Sequence, residues 1–322
     1  MKPITNNLKK ATTLPARQIN ELGIAPGMHV GQIHEILWSN QILTKSMVNG
    51  FLKCGIAVER RRVYGEKEPP GIAMGMGSNY HLLMDEWAKR LIAEQPVPSQ
   101  EEAMALLNDN WARFLEGCED PEAKDVVFKT DKIGRMLRAY ELWRVSYGSD
   151  IMPKIGKPVA TEVGYGYSGE TTVYDSVGTE IKIAGTLDLE AESGIGDYKF
   201  VGSTSQYRRA NKFLYEAAHY SMLTGKRTVF LFPVVHNLAS GVKVEAVACE
   251  QDDGTEIIAK ETLGRVRRTI DAGLFPAPSA QPGVFPCQPK FCGYFGTTCP
   301  RTKHLRRDDF MPGGPYGPKK KK

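Results

Sequence analysis

The feature that most restricts the fold is a change of hydrophobic period near residue 159. Before that point, apolar residues recur at three- and four-residue steps; beyond it they alternate. The first period builds one-faced helices and the second builds half-buried strands. The chain therefore reads as a helical half followed by a strand meander with interspersed helices, an α/β architecture.

The helical half begins with a short helix over 46–52 that stops at Cys54-Gly55, followed by the basic run Glu59-Arg60-Arg61-Arg62. Pro69-Pro70-Gly71 breaks the chain, and Gly75 and Gly77 lead into a helix expected over 78–94. In it Tyr80, Met84, Trp87 and Leu91 share one face. Ser99 and Glu102 form a capping box at the head of a helix over 99–117, and a further helix is expected over 121–148. Strands are expected at 159–167, 171–175, 179–190 and 195–201, then a helix over 206–224 ending at Gly225. Strands over 228–235 and 242–249 and a helix over 255–273 follow. Residues 275–300 are rich in Pro and Cys without helical or strand period, and the tail over 311–322 reads as disordered.

Composition excludes more than it selects. A length of 322 residues allows one elaborated domain or two modest ones. No run of about 18 apolar residues is present, so a membrane span is not expected. The first 30 residues lack an apolar core of signal-peptide type, which predicts a cytoplasmic chain. The net charge of +5 says little about a partner, because four of the 42 basic residues are Lys319 to Lys322. Six cysteines say more: in a reducing compartment disulfides are not expected, and three of the six fall within thirteen residues, 287–299.

Chemistry concentrates on the strand over 181–190. Ile181, Ile183, Leu187 and Leu189 take one face; Lys182, Ala184, Thr186, Asp188 and Glu190 take the other. The following strand carries Asp197, Tyr198 and Lys199, and Ala191-Glu192-Ser193-Gly194 joins the two with turn chemistry. In a hairpin centred there, residue numbers across the pair sum to about 385, which sets Asp188 opposite Asp197. Two carboxylates so placed repel each other unless a cation lies between them, and a hard divalent ion such as Mg²⁺ or Mn²⁺ prefers such oxygens. Lys199, on the same face as Asp197, can orient a water or stabilise charge on a phosphate. The same residues also fit a solvated strand face with an ordinary Asp–Lys pair. Gly77-Ser78-Asn79-Tyr80-His81 reads G-x-x-x-H at the start of the helix expected at 78, and Glu216 and Tyr220 lie one helical turn apart.

This order of G-x-x-x-H, G-x-x-D (Gly185 to Asp188), D-x-K and a helical element of the Q-x-x-x-Y kind resembles the RecB-type branch of the PD-(D/E)XK nuclease superfamily. It is most similar to the CRISPR-associated RecB-like exonucleases, the AddB nuclease domain and their phage relatives. The resemblance spans about residues 46–300. It implies a restriction-endonuclease-like core, a mixed central sheet flanked by helices, with a helical insertion and a C-terminal cluster segment. It further implies that His81, Asp188 and Asp197 bind the metal, that Tyr198 adds a backbone carbonyl, and that Lys199 is the catalytic lysine. The family's glutamine falls at Glu216, a departure, with Tyr220 completing that element; Gln206 is a second candidate for the amide. Glu162 reads as a surface strand position that could add a carboxylate.

Cys287-x4-Cys292-x6-Cys299 offers three thiolates, and the family's first cluster cysteine falls at Cys54, with glycine where the family has Cys-Pro. In relatives four such cysteines hold a [4Fe–4S] cluster that clips the C-terminal segment to the N-terminal helix, and four thiolates are the usual set for one. Cys287, Cys292, Cys299 and His304 would instead make a Cys3His site for Zn²⁺. Cys118 and Cys249 read as ordinary small residues.

Basic groups recur near the proposed clip and site: Arg60, Arg61 and Arg62; Arg208, Arg209 and Lys212; and Arg301, Lys303, Arg306 and Arg307. They could line a channel for a phosphate backbone, with Tyr64, Tyr207, Tyr294 and Phe295 stacking on unpaired bases.

The expected organisation is an N-terminal segment over 1–75, a nuclease core over 76–274 with a helical insertion at about 99–150, a cysteine segment over 275–310 and a basic tail over 311–322. The expected activity is Mg²⁺- or Mn²⁺-dependent exonuclease action on single-stranded DNA or DNA with free ends, in a bacterium or phage-infected cell. A helicase or recombination protein would be a partner on a separate chain, and no membrane partner is expected. The alternatives are a DNA-binding module with a degenerate nuclease site and a zinc-stabilised recombination accessory protein.

Overall fold

The computed structural model describes residues 30–66, 71–118, 121–201, 214–235, 244, 246–277, 287, 294, 298–302, 304–306 and 309. The expected 206–213 part of one helix, Arg208, Arg209, Lys212, Cys292 and the tail lie outside these residues. The chain divides into two compact units. The first comprises Met1–Ile42, Pro70–Val173 and Lys182–Lys260; the second comprises Leu43–Pro69, Tyr174–Ile181 and Glu261–Lys322.

Helix α1 (Val30–Ser39) and a short strand β1 (Ile42–Thr44) precede α2 (Lys45–Lys53) and α3 (Gly55–Arg62). Helix α4 (Ile72–Ile92) begins six residues earlier than its expected start at 78. Gly75 and Gly77 lie inside the helix rather than before it. At Gly75 the reason is packing: an added Cβ would stand 2.5 Å from the Phe114 ring, so only glycine lets the next helix approach. That helix, α5 (Gln100–Glu116), carries the expected capping box, with Ser99 N–H donating to Glu102 Oε2 at 2.8 Å and Glu102 N–H to Ser99 Oγ at 3.2 Å.

The single helix expected over 121–148 is divided. A turn of helix, α6 (Pro121–Lys124), stops at Asp125, whose carboxylate accepts from Phe128 N–H at 2.8 Å and starts α7 (Val126–Ser146). An aspartate at an N-cap competes with helix continuation, so the sequence carries its own break there. A π-helical turn over Tyr147–Ile151 and a last turn α8 (Met152–Ile155) end this half.

Strands β2 (Pro158–Tyr165), β3 (Thr172–Tyr174), β4 (Glu180–Ala191) and β5 (Ile195–Val201) form the meander. They are followed by α9 (Leu214–Thr224), β6 (Thr228–Val235), β7 (Val247–Glu250) and α10 (Asp253–Asp271). Of the strand expected over 242–249, Val244 and Ala246 lie outside β7, residues 242, 243 and 245 lie outside the described residues, and the ladder with β6 runs from Thr228 opposite Glu250 to Leu231 opposite Val247. Strand β4 pairs antiparallel with β2 on one side and with β5 on the other. Strand β5 runs parallel to β6, and β7 returns antiparallel. The result is a mixed α/β fold whose mixed sheet is flanked by helices, with α4 packed on β2 and β5, and α7 and α9 on β6.

The first unit's core is aromatic. The Trp143 ring meets Trp87, Tyr198 and Phe232 edge-on at centroid distances of 5.3, 5.2 and 5.1 Å. Each such pair contributes about 0.5–1.5 kcal/mol beyond the area it buries. Tyr198 belongs to the D-x-K strand, so helix α7 grips the strand that carries the candidate site. Trp143→Ala is expected to destabilise the fold by about 3–5 kcal/mol in equilibrium urea unfolding; a loss below about 1 kcal/mol would contradict its central place.

The second unit joins residues far apart in sequence. Gly55 N–H donates to Pro276 O at 2.9 Å, and Phe51 meets Phe275 edge-on at 6.2 Å. Glu66 accepts from Thr298 Oγ1 at 2.6 Å and pairs with Arg60 at 3.1 Å, while its carbonyl accepts from Tyr294 OH at 3.1 Å. Arg268 bridges Asp175 and Thr179.

Candidate active site

Strands β4 and β5 stay paired at only two positions, Leu189 opposite Gly196 and Glu190 opposite Ile195, the register summing to 385. On its other edge β5 runs in a full parallel ladder with β6, from Ile195 to Val201. Where the β4–β5 ladder stops, a side chain replaces it: Asp188 Oδ2 accepts from Tyr198 N–H at 2.8 Å. Asp188 is thereby fixed beside the D-x-K strand. Lys199 Nζ lies 2.6 Å from Asp197 Oδ2 and 3.0 Å from Glu216 Oε2. His81, brought by α4, sets Nδ1 3.4 Å from Asp188 Oδ2 and its ring edge-on to Tyr198 at 6.1 Å. Tyr220 is buried one turn after Glu216. Burial first, then the Asp197 and Asp188 charges, hold its phenol well above the usual range. Helices α4 and α9 and strands β4 and β5 thus gather His81, Asp188, Asp197, Tyr198, Lys199, Glu216 and Tyr220.

Two residues join this group that sequence reasoning misplaced or missed. Glu162 is not a surface strand position. It is half-buried, its φ is 50°, and its carboxyl is pushed up to about 8, by burial first and then by the Asp188 and Asp85 charges. A left-handed non-glycine residue inside a strand is uncommon, and such strain gathers at functional sites. Asp85 was passed over. It lies one helical turn after His81, is buried, forms an ion pair with Lys89 and accepts from Thr161 Oγ1 at 3.0 Å. The available signal was a carboxylate four residues after the histidine, beside the apolar stripe of the same helix. His219, which carried no spacing suggestive of a site, is a fully buried structural residue whose Nε2 meets Ala184 O at 3.0 Å.

Charge is unbalanced here. Asp85, Glu162, Asp188, Asp197 and Glu216 face Lys89, Lys199 and His81. Burial pulls the His81 imidazole down, but Asp188, then Asp197 and Glu162, outweigh it and hold its pKa at about 9. Among the described residues, no three His, Cys, Asp or Glu side chains form a set that could grip a metal ion as they stand. The donor chemistry nonetheless fits a hard divalent cation: carboxylate oxygens, an imidazole and an excess of negative charge that keeps protons on Glu162 and His81.

Both groups bind their proton more tightly in the folded chain. Their stabilisation is full below the ordinary values of 4.5 for Glu162 and 6.5 for His81, and it is lost as pH rises through about 8 and about 9. With chelator present, the melting temperature is expected to fall as pH rises from about 5 to about 9, less steeply in Glu162→Gln. Identical profiles for the two proteins would contradict this charge assignment.

Of the four proposed cluster thiols, three lie among the described residues, all in the second unit. Burial pushes the Cys54 thiol up, and Cys299 adds to the rise. Burial likewise pushes up Cys287, with Cys299 and Cys54 adding, and Arg301 opposes both shifts. Cys299 packs with Ile56 and Tyr294 in a small cluster that Cys54 and Ala57 border. His304 is exposed. Glycine after Cys54 has a local reason: its N–H is used by Pro276 O, and a Cβ would stand 2.7 Å from Pro276 N. Proline there would lose that donor. Cys118 and Cys249 are buried elsewhere.

Of the expected DNA-binding groups, Arg60 and Arg61 lie on α3 and Arg306 is exposed. Arg60 stacks over Tyr64 at 4.9 Å. Among the described residues, no helix is long and apolar enough to cross a membrane.

No family model and no curated protein sequence matches this chain. Among solved structures, a Eubacterium rectale protein designated an exonuclease is 11% identical over 85% of this chain and 92% of its own, with a TM-score of 0.47. A second, SSO0001, is 12% identical over 73% of this chain and 85% of its own, with a TM-score of 0.33. At such scores neither likeness bears on function.

Proposed function

We propose that this chain is a metal-dependent deoxyribonuclease with a PD-(D/E)XK core of the RecB-type branch, acting as an exonuclease on single-stranded DNA ends. The observation that carries the reading is the meeting of His81, Asp188, Asp197 and Lys199 where β4 and β5 part. His81, Asp188, Asp197 and the Tyr198 carbonyl are the proposed ligands for Mg²⁺ or Mn²⁺, which when bound would supply Lewis-acid activation of phosphate and water. Tyr198 N–H holds Asp188 in position, and Glu162 adds a third carboxylate. Lys199 places an ammonium where negative charge grows on the phosphate. Glu216, standing where the family has glutamine, pairs with Lys199 as Asp197 does.

Digestion of 5′- and 3′-labelled single- and double-stranded DNA with Mg²⁺ or Mn²⁺ tests this. Asp197→Ala and Lys199→Ala are expected to lower the rate by at least about 10²–10³-fold; wild-type rates in either would sink the proposal. One observation favours a second reading, a DNA-binding module with a degenerate site: Lys199 already lies between two carboxylates. That reading expects DNA binding without metal-dependent digestion. In both, Arg60, Arg61, Arg208, Arg209, Lys212 and Arg306 are proposed phosphate contacts, and binding would weaken steeply with salt.

Cys54, Cys287, Cys292 and Cys299 are proposed to hold a [4Fe–4S] cluster, supported by the packing of Cys299 in the small cluster that Cys54 borders, by the influence of Cys299 and Cys54 on the Cys287 thiol, and by the exposure of His304. Anaerobic purification is expected to yield a brown protein with broad visible absorbance. A colourless, zinc-loaded protein would instead support Zn²⁺ and a recombination accessory role.

A further inference from the structure

Three of the elements that form the candidate site are α4 with His81, β2 with Glu162 and β4 with Asp188. One buried hydroxyl touches all three. Thr161, 2% exposed, has Oγ1 3.0 Å from Asp85 Oδ1 on α4 and 2.8 Å from Asp188 O on β4, and it directly precedes Glu162 with its φ of 50°. The hydroxyl has one proton for two acceptors, and the second Asp85 oxygen is engaged by Lys89. On either side of Glu162 the β2–β4 ladder is regular, Thr161 opposite Leu189 and Val163 opposite Leu187. The left-handed turn at Glu162 is therefore local, and the Thr161 hydroxyl is the polar contact anchored beside it.

We propose that Thr161 is a positioning residue for the metal ligands: its hydroxyl, with Asp85 as the helix-side partner, locks α4, β2 and β4 together and aims the Glu162 carboxyl toward Asp188. The proposal rests on the metal-dependent reading above. The bridge acts on how the ligands are presented rather than on the reaction itself. Its loss should appear in metal affinity more than in the rate at saturating metal, since groups that orient ligands change affinity or activity by about 10–100-fold.

The test compares Thr161→Val, which keeps the shape and removes the hydroxyl, with Thr161→Ser, which keeps the hydroxyl, and Asp85→Asn, which keeps an acceptor and removes the Lys89 ion pair. Mn²⁺ affinity is read by calorimetry, and the metal-free crystal structure of each variant gives φ at Glu162. Thr161→Val is expected to bind Mn²⁺ about 10–100-fold more weakly and to return Glu162 to an extended φ. Thr161→Ser is expected to restore both, and Asp85→Asn, which keeps the acceptor for Thr161, to keep the positive φ at Glu162. Wild-type Mn²⁺ affinity in Thr161→Val, or equal loss in all three variants, would overturn the proposal. If wild-type protein bound no Mn²⁺, the metal reading would fail by itself, and an unchanged φ in Thr161→Val would then refute the positioning role. Should Thr161→Val not fold, failure of Thr161→Ser to retain wild-type affinity and a positive φ refutes it as well.

Discussion

A hydrogen bond from a main-chain N–H to a carboxylate organises the first unit. Tyr198 N–H reaches Asp188 at 2.8 Å, just past the point where β4 and β5 cease to pair, while β5 stays paired with its parallel partner β6 along its whole length. A strand leaving a ladder exposes donors that must find acceptors. Here the acceptor is an acidic side chain, so the solution of a backbone problem also fixes a functional group. The ring of the same Tyr198 is clamped edge-on by Trp143, which ties the geometry of the D-x-K strand to the aromatic core. Asp197 and Lys199, on either side of Tyr198, inherit that rigidity.

The charge distribution follows from that arrangement. Strand alternation and two helices converge more carboxylates than cations on one place, and the protein answers with protons on Glu162 and His81 and ion pairs to Lys89 and Lys199. Such a site is electrostatically costly unless a cation compensates it. Glu216 deepens the imbalance, yet its 3.0 Å approach to Lys199 gives it a defined task of holding the ammonium.

Much of this was legible in the sequence because it rests on local rules. The hairpin register at Leu189–Gly196 and Glu190–Ile195 followed from strand alternation and one turn, although the ladder stops before the expected Asp188–Asp197 pair, and the capping box followed from two residues, Ser99 and Glu102. What escaped depends on partners distant in the chain. Glu162 reads as an outward strand residue by alternation, and only its left-handed φ and its neighbours on α4 and β4 reveal otherwise. Gly75 reads as a helix boundary, whereas Phe114 on another helix is the reason for it. Gly55 departs from the Cys-Pro pattern of the resembling family because Pro276, more than 200 residues away, uses its N–H. Asp85 was overlooked because a charged residue beside an apolar helical stripe is usually an edge of the solvated face.

The most direct measurement is a crystal structure of the protein grown with Mn²⁺, with anomalous diffraction recorded to locate the ion. A single strong anomalous peak in contact with the Asp188 and Asp197 carboxylates and the His81 imidazole is the predicted result. Mn²⁺ bound elsewhere, or an ordered site in which Asp188 and Asp197 contact no metal while the protein digests DNA, would contradict it.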